Sequence, residues 1–165
     1  MIDMNEEIVS YLIRLSEGKM VLIQRLFDLT DEQQRTLKEE EMDKLNDLIF
    51  QKKEIMDKID VLDLEFINKL ENLKKSLGIQ SLSDVQEEPV AGFKVLKSKI
   101  QQVYLMMEKI QQLDKGNQQL MELNLTKVKK ELKNIKVGKK ATKEYGKGYG
   151  KDSMEPPSIF IDKKK

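Results

Sequence analysis

Cysteine, histidine and tryptophan are all missing from this 165-residue chain, and each absence narrows what it can do. Without Cys or His there are no disulfides, no thiol nucleophile and no imidazole or thiolate ligand for a transition metal. Aromatic residues make up only 5% while charged residues reach 36%, which suits an elongated helical bundle better than a globe around one thick core. Carboxylates remain available for acid–base work. They alternate with Lys along helical patterns, however, and are not gathered beside a glycine-rich loop or an apolar pocket. No catalytic residue, metal site or cofactor is therefore assigned.

Long apolar runs are missing too. No stretch approaches the roughly 20 consecutive apolar residues of a membrane span, and Met1-Ile-Asp-Met-Asn-Glu-Glu7 lacks the basic region that opens a secretory signal. A cytoplasmic protein without stable membrane insertion is expected. The three prolines, Pro89, Pro156 and Pro157, all lie beyond residue 88, and four of the eight glycines fall in 138–150. What precedes is free to form long helices. The net charge of +1 is unevenly spread: 136–165 holds nine Lys and four acids, leaving 21 basic and 25 acidic residues in the remainder. The tail is cationic and the body mildly acidic.

Apolar residues recur at steps of three and four in three separate runs. The first is Ile8, Leu12, Leu15, Leu22, Leu26 and Leu29, with Lys19 at its polar gap. Val9, Ile13, Ile23 and Phe27 widen it, as a helix is widened when it contacts two neighbours. The chain reverses near residues 36–41. A second run then passes through Leu45, Leu48, Ile55, Ile59, Leu62, Phe66, Leu70, Leu73 and Leu77, with Lys52 as its polar member and Gly78 as its stop. Residues 79–92 form a loop with one short turn capped by Ser81 or Ser83. The third run starts at Phe93 and continues through Leu96, Ile100, Val103, Met107, Ile110, Leu113, Asn117, Leu120, Asn124, Val128, Leu132 and Ile135. A helix of that length spans roughly 65 Å, so its end overhangs the bundle or frays.

The pattern predicts an all-α protein: an elongated antiparallel three-helix bundle or coiled coil over 1–137, with helices at about 5–36, 40–77 and 91–136. A flexible basic tail rich in Gly, Lys and Tyr follows over 138–165, with one apolar island at Pro156-Pro157-Ser-Ile-Phe-Ile161.

Asn117 and Asn124 depart from the apolar rule on one face of the third helix. Either these positions leave the core and face water, or they fix register or offer hydrogen bonds to a partner helix. Gly116 beside them removes a side chain, which lets another helix approach. Gln118, Gln119, Met121 and neighbouring Gln and Met residues give this segment an adaptable surface. The tail lysines carry charge without the bidentate geometry of Arg, so no specific nucleic-acid recognition is expected.

The Asn117-x-x-Leu120 segment, the Leu37/Leu45 hairpin around an acidic turn and the tail Glu144-Tyr-Gly-Lys-Gly-Tyr-Gly-Lys-Asp152 together resemble the FlgN family of flagellar export chaperones over nearly the whole chain. Such proteins bind the helical carboxyl-terminal ends of hook-associated proteins at the hook–filament junction. They keep these from aggregating and present them to the type III export gate of the flagellar apparatus. The resemblance implies that Asn117, Leu120, Met121, Asn124 and Val128 form the substrate-binding surface, and that Tyr145 and Tyr149 dock on the gate. A coiled-coil scaffold or oligomerisation module unrelated to export is the rival reading, and monomer and homodimer both remain open.

Overall fold

The computed structural model describes residues 3–141, and their side chains as far as Lys139. The expectations for the later tail, including Tyr145, Tyr149 and the apolar island, lie outside the described residues. Three long helices, α1 (Met4–Lys38), α2 (Met42–Leu77) and α3 (Phe93–Ala141), pack side by side, with no strand among the described residues. The third helix runs past its expected end at 136. Ala and Lys favour helix there, and one glycine at 138 costs only about 1 kcal/mol.

α1 lies closely along both α2 and α3, whereas α2 and α3 approach each other less closely. This is why α1 needs a wide apolar face: Val9 and Ile23 are as buried as the Leu12 and Leu26 of its main stripe. Three apolar clusters follow one another along the bundle. The first joins Val9, Leu12, Leu73, Phe93 and Leu96, the second Ile23, Leu26, Ile59 and Ile110, and the third Leu37, Leu45 and Met121. The Lys19–Asp63 ion pair of 2.6 Å, in which α1 meets α2, accounts for the polar gap in the first stripe.

The two reversals are built differently. At Gly78 (φ 70°) the chain takes the left-handed conformation that glycine adopts without strain, and the Ile79 N–H returns to the Lys74 carbonyl. Between α1 and α2 the same hydrogen-bond pattern forms without glycine. Glu40 sits at φ 56°, its N–H donates to the Leu37 carbonyl, and the Glu41 N–H donates to that of Thr36. The loop before α3 carries a short 3-10 turn over Leu82–Asp84, closed by reciprocal bonds between Ser81 and Asp84. Gly92 (φ 87°) then admits the start of α3 against α1, where an added Cβ would lie 3.2 Å from Val9.

Candidate functional site

The register between α1 and α3 decides which part of the third stripe is closed. Asn117 bonds to Thr30, Asn124 to Leu37 and Lys127 to Glu40, each pair separated by 87 residues. A constant offset means that the two helices run parallel and in step. α1 ends at Lys38, so α3 outlasts it beyond about Leu125. Val128–Ala141 projects past the α1–α2 turn by about 20 Å.

The five residues singled out by sequence straddle this boundary. Asn117 is only 2% exposed, and its Nδ2 donates to the Thr30 carbonyl at 3.1 Å while its Oδ1 has no partner. Met121, 8% exposed, packs with Leu37 and Leu45, and half-buried Leu120 borders the same cluster. Asn124 is half-buried and donates from Nδ2 to the Leu37 carbonyl at 3.1 Å. Leu37 lies in the last turn of α1, where carbonyls lie beyond the intrahelical ladder, and its oxygen accepts from both the Glu40 N–H and Asn124, so Asn124 adds a cap from the neighbouring helix. Val128, 41% exposed, stands outside the bundle. Of the two readings of the asparagines, the hydrogen-bonded one holds, and the helix they bond is α1 of the same chain. Gly116 is not required by close approach, because a Cβ there would meet only the Gln34 side chain at an ordinary 3.8 Å.

Beside Asn117 a polar layer crosses the core between the second and third clusters. Lys52, 1% exposed, donates from Nζ to Gln33 Oε1 at 2.8 Å and to Asp114 Oδ1 at 2.9 Å. Burial pushes its pKa down, and the Asp114 charge and hydrogen bond oppose that shift. Lys52 thus joins all three helices at one level. Its sequence signal was a single lysine in an otherwise apolar stripe.

Past this layer the core-facing line of α3 runs on after its partners stop. Asn124, Val128, Leu132 and Ile135 follow at steps of four, four and three, which keeps them on one face. Ile135 is 54% exposed and Leu132 half-buried. Lys129 and Lys136, seven residues apart, border the stripe. Leu132 and Ile135 belong to this surface although they were absent from the residues singled out by sequence; their place in the third apolar run was the signal. Two other surfaces compete with it. Val61, Leu64 and Ile67 are exposed at steps of three on one outer face of α2, but this stripe does not continue the core line of the bundle. A groove near Ile8, Ile13 and Gly92 is lined by side chains already engaged in polar contacts with one another. There Tyr11 donates to Glu65 at 2.8 Å, a bond that is the main cause of the raised Tyr11 pKa, while Arg14 and Lys69 lie over its ring.

Among the described residues no helix is long and apolar enough to cross a membrane, and no three acidic side chains converge as a metal site would require. The surface that α3 offers is an amphipathic helical face bordered by lysine, a shape that accepts another helix. The family model described as FlgN protein matches residues 1–155. No curated protein and no solved structure matches the chain.

Proposed function

This chain belongs to the FlgN family, and from that premise we propose that the projecting end of α3 is where it holds its substrate. Members of the family are chaperones without enzymatic activity that serve export of the hook-associated proteins of the bacterial flagellum, and they work in the cytoplasm. The bound element is the helical carboxyl-terminal segment of a hook-associated protein. Val128, with Leu132 and Ile135, receives its apolar face. Leu120 and Asn124 form the inner border, and Asn117 and Met121 hold α3 against α1 from beneath. The observation that carries this reading is the continuation of the core stripe beyond the end of α1. An apolar helix face without a partner in its own bundle marks an interaction site. Tyr145 and Tyr149, further along the chain, are assigned to docking on the export gate.

Calorimetric titration with the carboxyl-terminal segment of each hook-associated protein tests the assignment. Binding at or below tens of micromolar is expected. The double variant Leu132→Asp/Ile135→Asp should weaken it at least tenfold with an unchanged melting temperature, since neither side chain belongs to the three core clusters. Unchanged affinity in that variant would move the site elsewhere.

A further inference from the structure

The chain continues for 24 residues beyond Ala141, and one segment of that continuation matches the open stripe in both charge and polarity. Residues 152–162 read Asp-Ser-Met-Glu-Pro-Pro-Ser-Ile-Phe-Ile-Asp, with three carboxylates, no Lys or Arg, and the apolar run Ile159-Phe160-Ile161. Residues 127–140 of α3 hold seven Lys against Glu131 alone, and Lys129 and Lys136 border the Val128, Leu132 and Ile135 face. An acidic apolar segment and a basic apolar helix face thus occur in one chain. We infer that Ile159–Ile161 docks on the Val128–Ile135 stripe of its own molecule and competes there with the export substrate. The competition rests on the substrate reading above; the docking itself does not.

Reach favours this stripe over the other apolar surfaces. From Ala141 to Ile159 the chain has 18 residues to span, for which a flexible coil has an end-to-end distance of about 23 Å. Ile135 and Val128 lie back along the helix by about 9 and 20 Å. A linker whose average length matches the span gives the highest effective concentration, in the millimolar range. The groove beside Tyr11, at the opposite end of α3, is about 70 Å away, beyond the roughly 60 Å of the fully extended segment. Pro156 and Pro157 fix φ at two positions just before the island, so less chain freedom has to be lost there on docking. Lys143, Lys147 and Lys151 before this segment and Lys163, Lys164 and Lys165 after it carry the same charge as the lysine-rich helix, so charge complementarity is limited to 152–162.

The absence of Cys makes a single spin label straightforward to place. With a nitroxide on Ser158→Cys in the full chain, the methyl signals of Val128, Leu132 and Ile135 should broaden, and adding Phe160→Asp should abolish the effect. No broadening, or broadening only when isotope-labelled chains are mixed with spin-labelled copies, would overturn docking within the molecule. Competition is read separately, by titrating a synthetic carboxyl-terminal segment of a hook-associated protein. If the island covers the stripe about four-fifths of the time, Phe160→Asp should bind that segment about fivefold more tightly than the native chain. Equal affinities would overturn the competition. Broadening with no segment binding to either protein would instead contradict the substrate reading and leave the docking supported.

Discussion

Lys52 and Asn117 show what single polar residues do inside this bundle. Burial lowers the Lys52 pKa below its usual 10.5. Between the folded value and 10.5, the unfolded chain therefore holds a proton that the folded chain has lost, and the contribution of this site to stability rises with pH through that window. The cost of burying the charge is complete below it and is relieved as the amine neutralises. Denaturant unfolding at several alkaline pH values should accordingly give a Lys52→Met variant a flatter profile than the native chain. Near neutral pH the substitution should change stability by no more than about 1 kcal/mol, because the half-exposed Asp114 returns to water while Gln33 loses its donor. Asn117→Leu removes an unpartnered buried oxygen together with one hydrogen bond to a mid-helix carbonyl. It is expected to hold or raise stability by about 1 kcal/mol, checked by thermal unfolding. A large loss would mean that the bond to Thr30 fixes the α1–α3 register.

Among the elements, the reversal between α1 and α2 is the one under strain. Glu40 occupies a left-handed conformation that costs a side-chain-bearing residue about 1 kcal/mol, and its ion pair with Lys127 is exposed enough to return little of that. Glu40→Gly should therefore stabilise the protein by about 0.5–1 kcal/mol, measured by denaturant unfolding. The stop at Gly78 was legible because glycine marks a left-handed residue. The stop at residues 39–41 was soft in sequence because Glu in that role leaves no signal. The helices themselves were legible because α1 needs apolar residues on two faces and α2 and α3 on one, which imposes the three-and-four spacing. The open part of α3 was legible only as the end of a stripe. Where that stripe loses its partner depends on the 87-residue offset between α1 and α3, a property of the packed bundle that no local pattern contains. The asparagines lie on the helix that projects, but their bonds to Thr30 and Leu37 lie on the closed side of the boundary.

At the scale of the molecule, one long helix has two tasks. Its first two-thirds complete a bundle core through Phe93, Leu96, Ile110 and Met121, and its last turns carry the same face past that core. A scaffold that used the stripe for self-assembly would sediment as an oligomer. The chaperone reading expects a monomer at tens of micromolar, with the stripe available to a partner. The most direct measurement is a methyl-resolved NMR titration of the full chain with the carboxyl-terminal helical segment of a hook-associated protein. Shifts are expected to concentrate at Val128, Leu132 and Ile135, diminish through Leu120, and leave Leu12, Leu73 and Leu96 unmoved. Shifts confined to Val61, Leu64 and Ile67 on the outer face of α2, with the end of α3 silent, would contradict the assignment.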